Sequence, residues 1–187
     1  MKVAKSLCIA LAFSFIFSAN GFAEKVAFSI TGKEDFSFPG RSRKSFTLVP
    51  DRDDLTFDML LEAVKSAAVN LQQNERCDVV EVWITCAKSG DTFSGFNVLA
   101  LARYCPDGRG HSGSDKWTWE VFVTKNATPD KIKFINALET RYPKFRDMYS
   151  KEYNAARTQI AADLGLPPDF RPDIELEEVV SRRSGGV

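Results

Sequence analysis

The stretch DVVEVWITCAKSGDTFSGFNVLALARYCPDGRGHSGSDKWTWEVFVT, residues 78–124, contains three β-rich runs. They are DVVEVWITC (Asp78–Cys86), FNVLALARYC (Phe96–Cys105) and WTWEVFVT (Trp117–Thr124). Each is dense in β-branched and aromatic residues, and polar, glycine-containing segments separate them, so an antiparallel meander is predicted. Folding the first hairpin symmetrically about Asp91 pairs Ile84 with Val98, Val82 with Ala100 and Val80 with Ala102. One face is then uniformly apolar, with the even-numbered residues of the first two strands aimed inward. The same register sets Cys77 opposite Cys105, where cross-strand Cβ atoms lie about 4.5 to 5.5 Å apart, within reach of a disulfide. Centring the second hairpin in the glycine-rich loop pairs Trp117 with Tyr104, Trp119 with Ala102 and Val121 with Ala100. Bulky partners then sit beside small alanines, as close packing requires.

Upstream, LTFDMLLEAVKSAAVNLQQNE places Phe57, Leu60, Leu61, Val64, Ala67, Ala68 and Leu71 at helical spacing, with Thr56 as N-cap. Before it, VAFSI and SFTLV read as two short strands on either side of a segment rich in Gly, Pro and charge. Downstream, Thr128 and Pro129 open a second helix with Ile132, Ile135 and Leu138 as its buried stripe. Pro143 restarts the chain into a third helix that ends at Leu164 and Gly165. The expected fold class is α+β, in the order β-β-α-β-β-β-α-α. A central antiparallel sheet carries helices mainly on one face.

The N-terminus predicts a secretory signal peptide over residues 1–23. Lys2 and Lys5 precede the apolar run LCIALAFSFIF, and Gly21 and Ala23 supply the small residues for cleavage. The run is too short to span a bilayer, so no membrane span is expected in the mature chain. A single domain over 24–166 and a flexible tail over 167–187 complete the layout. Losing Lys2 and Lys5 leaves 23 basic against 25 acidic residues, a balance that argues against nucleic acid as a partner. The basic cluster GRSRK (Gly40–Lys44) reads as a solvated loop. Export favours a disulfide between Cys77 and Cys105, with Cys86 left as a buried thiol.

The opposite sheet face carries Val79, Glu81, Trp83, Leu99, Leu101, Arg103, Glu120 and Phe122. Trp83, Leu99, Leu101 and Phe122 are not expected to stand bare in water, so a terminal segment or a protein or cell-envelope partner should cover them. Glu81 and Glu120 lie on the outer strands of the meander, roughly 9.5 Å apart at the backbone, with Arg103 between them. They are expected to form an ion-pair row rather than the acid and nucleophile of a glycosidase.

The loop CPDGRGHSGSD (Cys105–Asp115) contains the chain's one histidine and exceeds the usual hairpin length. Asp107, His111, Ser112 and Asp115, together with Trp83, are the candidate ligand-binding residues. A triad through His111 lacks the Gly-x-Ser-x-Gly setting of an exposed serine nucleophile. Asp107, His111 and Asp115 could offer oxygen and nitrogen ligands, but the acidic pattern of an EF-hand is missing. The glycines lead into a strand instead of a helix N-terminus, which argues against a phosphate loop. No catalytic residue, metal or cofactor is therefore expected.

ARYCPDGRGHSG, after the strand DVVEVWIT and its preceding amphipathic helix, resembles an exported bacterial domain family of unknown function. The likeness covers Ser45 to Leu164 and rests on Tyr104, Pro106, Asp107, Gly108, Gly110, Ser112 and Gly113. It implies export and a bacterial source, and no catalytic residues. Taken together, the expectation is an exported, periplasmic or extracellular, non-catalytic binding or interaction module. The alternative is a hydrolase of cell-envelope material.

Overall fold

Residues Phe28–Asp35 and Arg43–Pro50 form strands β1 and β2, an antiparallel hairpin joined by a turn around Pro39 and Gly40. The computed structural model describes residues 26–86, 97–141 and 151–180. The segment 1–23 predicted as a signal peptide, residues 87–96 and Pro143 lie outside them.

From β2 the chain enters helix α1, Phe57–Glu75, where Thr56 accepts a hydrogen bond from the Met59 amide at 3.2 Å. Leu60, Val64, Ala67, Ala68 and Leu71 are its buried stripe, so the helical spacing in the sequence marked the packed face. Strands β3 (Val79–Thr85), β4 (Val98–Tyr104) and β5 (Trp119–Thr124) follow as the predicted meander. Helices α2 (Pro129–Arg141) and α3 (Lys151–Asp163) come next.

One correction concerns strand direction. The sheet is mixed, because β2 pairs β3 in parallel. α1 lies between these neighbours in sequence, and such a helical crossover returns the chain to the same end of the sheet. A second concerns the tail. Leu176–Val180 forms β6, antiparallel to β5, within the stretch 167–187 expected to be a flexible tail. Among the described residues the six strands run in sequential order, β1 to β6.

The main core lies between α1 and the sheet. Phe46, Leu48, Val80, Val82, Ile84, Ala100, Ala102, Val121 and Val123 meet the α1 stripe there, joined by Ile132 and Ile135 of α2. Phe134 and Leu138 turn the other way and pack on Ala156 and Ile160 of α3. α2 therefore bridges two clusters, and the helices stack outward from one face of the sheet.

Both predicted registers are shifted by two residues. Val82 faces Ala102 instead of Ala100, and Tyr104 faces Trp119 instead of Trp117, with those two rings stacked at 4.2 Å. A shift of two leaves the side chains of the paired strand residues on their expected faces. It does move the cysteines. Position 105 is now level with Val79, and Cys105 joins Val79 and Trp117 in a separate small cluster. Cys77 belongs to the main core on the other side. Cys77, Cys86 and Cys105 are free and buried, so the expected Cys77–Cys105 bond is not formed.

A bulge at Ile84 and Thr85 skips Leu99, which joins the main core with no exposure. It is thereby removed from the face it was expected to share with Trp83. No helix among the described residues is long and apolar enough to cross a membrane.

Candidate functional site

The loop after β4 leaves the sheet through Cys105, whose amide donates to Thr118 O at 2.9 Å, and tightens at once. Pro106 and Asp107 lead to Gly108 at φ +69°, and the Gly108 amide donates to Cys105 O at 3.0 Å. Gly110, at φ +60°, comes so close to Asp115 and Trp117 that a Cβ there would lie 2.4 Å and 2.5 Å from their atoms. The loop is thus folded flat against the start of β5.

What holds it is Arg41, from the cluster read as solvated. This side chain is 4 % exposed. Nη1 donates to Asp107 Oδ2 at 2.8 Å, and Nη2 donates to Asp107 Oδ1 and to Gly110 O. The Arg41 guanidinium, with the Arg109 amide, holds the Asp107 carboxyl below its usual range, while Asp107 raises Arg41. Burial pushes the neighbouring Cys105 thiol up to about 12, against the pull of Arg41. The turn that carries Arg41 is built by Pro39 and by Gly40 at φ +86°, the pair a type II turn requires. Phe38 and Arg41 close it with two backbone bonds, at 3.1 and 2.9 Å.

Arg43, at the start of β2, reaches the same loop from beside it. Its Nη1 lies 3.0 Å from His111 Nδ1, and its Nε and Nη2 donate to Phe36 O at 3.1 and 2.7 Å. A guanidinium carries only donors, so His111 Nδ1 must accept, and the ring in this contact is the neutral tautomer protonated on Nε2. The Arg43 guanidinium carbon stands 5.0 Å from the Phe36 ring centre and 4.5 Å from that of Phe38. His111 stacks on Phe36 at 5.7 Å. Ser112 donates to Asp115 Oδ2 at 2.9 Å, and its Oγ lies 2.8 Å from that of Ser114.

Asp107, His111, Ser112 and Asp115 are therefore gathered in one ordered loop. Trp83 is not among them. It sits on the far sheet face, four residues along β3 from Val79, and donates from Nε1 to Glu81 Oε1 at 2.8 Å. Glu81, Arg103 and Glu120 form the expected ion-pair row across β3, β4 and β5. Sequence reasoning missed Phe36, Phe38, Arg41 and Arg43. The signal available was two phenylalanines and two arginines, each pair spaced by one residue across a Pro-Gly turn, FSFPGRSR, in a segment set aside as rich in Gly, Pro and charge.

With this geometry in place, residues 23–170 match the model of a domain of unknown function, DUF4875. The chain belongs to the DUF4875 family. A crystal structure of a DUF487 family protein from Desulfovibrio piger ATCC 29098 is similar, with a TM-score of 0.66 and 25% identity. That likeness covers 82% of this chain and 94% of the other. No curated protein matches the chain. For the DUF4875 chain described here, the matched span holds β1 to β5, all three helices and the whole arginine-clamped loop, and stops short of β6.

Proposed function

We propose that this protein is an exported bacterial binding module that meets its ligand or partner with the Phe36–Arg43 turn and the Cys105–Lys116 loop, without catalysing a reaction. The observation that carries the reading is the way Arg41 fixes the loop from beneath. A long loop ordered by an ion pair to a buried arginine presents its outer groups in one fixed arrangement, which favours recognition by lowering the ordering cost of binding. Two features weigh against the hydrolase alternative. His111 spends Nδ1 on a cation, where a general base would be oriented by an acceptor. Glu81 and Glu120 share Arg103, so neither is set apart as the proton donor that glycoside hydrolysis needs.

Export is supported by the residue pattern of positions 1–23. The chain secreted by a bacterial host should begin near Glu24. Photo-crosslinking from position 38 in that host should trap a discrete adduct with an envelope component. The same crosslinker at Glu152, on the exposed side of α3, should trap none. Release of soluble fragments from purified cell wall by the wild-type protein, abolished by His111→Ala with the fold intact, would replace this reading with the hydrolase.

A further inference from the structure

We infer that Arg43 is the anchor of a carboxylate-binding site, and that the ligand is a peptide carboxylate flanked by an apolar side chain. The inference rests on the proposed binding role of this face and specifies the chemistry it recognises.

Arg41 is paired with Asp107, Lys33 and Lys44 with Glu75, Arg52 with Asp54, and Arg103 with Glu81 and Glu120. Arg43 is half-buried, yet among the described residues no carboxylate forms an ion pair with it. Its surroundings are two phenyl rings, one carbonyl and one imidazole. Partial burial of a cation without a counter-charge is unfavourable, and a bound anion would relieve it.

The hydrogen-bond count gives the shape of that anion. A guanidinium has five N–H groups in a fixed plane. Phe36 O takes one from Nε and one from Nη2, and His111 takes one from Nη1. One N–H on each Nη is left. Two donors of a rigid planar group suit the two oxygens of a carboxylate.

Both supports of Arg43 also fix its position, because the Phe36 carbonyl and His111 belong to two different loops that Arg41 locks together. Beside it Phe38 is 41% exposed, an apolar residue at the edge of the cation. A carboxylate seated on Arg43 would therefore carry its neighbouring side chain onto Phe38. With Arg41 already neutralised by Asp107, a single negative charge completes the balance at Arg43.

The test is a titration of the ¹⁵N-labelled protein, from residue 24 onward, followed at the Arg43 Nε–H and the His111 amide. Three probes are used separately: N-acetylphenylalanine, N-acetylphenylalaninamide and inorganic phosphate. The acid should give saturable shifts at both signals, with a Kd on the order of millimolar for so small a ligand. The amide and phosphate should bind at least about tenfold more weakly. Arg43→Gln should abolish binding of the acid, Arg43→Lys should weaken it about fivefold or more, and Phe38→Ala should weaken it without removing it.

Equal binding of the amide, tighter binding of phosphate, or unchanged affinity in a folded Arg43→Gln variant would overturn the inference. Should Arg43→Gln fail to fold, the contrast between acid and amide on the wild-type protein still decides. A crosslinked partner at position 38 alongside a silent acid titration would retire the carboxylate and leave the binding face standing.

Discussion

Asp107 and Arg41 lie 66 positions apart in sequence and form the contact on which the loop depends. Asp107 is visible in the sequence as the second residue of a Pro-Asp-Gly turn. Arg41 is not, because hydropathy assigns any arginine to solvent, and its burial is decided by a partner that only the fold supplies. The pair gives a pH prediction with a definite sign. The Arg41 bond lowers the Asp107 pKa on folding. Its stabilisation is therefore fully present above the unfolded value, near 3.8, and is lost as pH falls through the lower folded value. Asp107→Asn should cost about 1 to 2 kcal/mol at pH 7, a figure reduced for the partial exposure of the carboxylate. Urea denaturation should show that gap between wild type and variant closing as pH drops below about 4. Arg41→Met should cost more, about 2 to 4 kcal/mol, because it also strips the Gly110 carbonyl of its donor.

The elements were legible as elements, and the faces of the strands with them. The period of two in DVVEVWITC and FNVLALARYC decides which residues point to the core, and Val80, Val82, Ile84, Ala100 and Ala102 all do. The same period cannot distinguish a register from one displaced by two residues, since both bury the same set. That degeneracy hides the two-residue displacement, which brings position 105 level with Val79; Cys77 precedes the first residue of β3, so strand alternation does not govern it, and it packs into the main core while Cys105 packs with Val79 and Trp117. Without reductant, iodoacetamide should leave the native protein unlabelled and label Cys77, Cys86 and Cys105 once it is unfolded. Burial raises all three thiols, Cys105 to about 12, so almost no thiolate exists in the folded state near neutral pH. A mass deficit of two hydrogens with one labelled cysteine would restore the disulfide. The two loops invite a comparison of glycines. Gly110→Ala combines a left-handed backbone with a collision at Asp115 and Trp117, and should cost about 2 to 4 kcal/mol. Gly40→Ala meets open space at its φ of +86° and should cost about 1 to 2 kcal/mol. Thermal unfolding of the two variants should preserve that order.

At the scale of the molecule, the sheet grows outward from β3 and β4, which α1 covers, to edges that carry less of the core. Its ends differ in kind. β1 is fastened to α1, because Lys33 and Lys44 both reach Glu75 at 2.6 Å. β6 has a burial pattern exposed along four of its five residues, and its pairing with β5 is broken by a bulge between Val121 and Phe122. It also lies beyond the span shared with the DUF4875 family, which ends at residue 170. This strand is poorly legible in the sequence, since LEEVV is short and acidic, and only the open edge of β5 gives it a place to pair. An added edge strand of this kind should be separable from the fold. A chain ending at Asp173 keeps the Asp173 carbonyl that accepts from Asn126 and Lys131, and loses Ile174, Val180 and the ladder to β5. It should still unfold cooperatively, about 1 to 3 kcal/mol less stable, from the loss of two partly buried apolar side chains and the edge hydrogen bonds. Hydrogen exchange should then show β5 amides losing protection while those of β3 and β4 keep theirs, as expected for an edge that opens independently. Collapse of protection across β3 and β4 would mean that β6 closes the sheet as an integral strand.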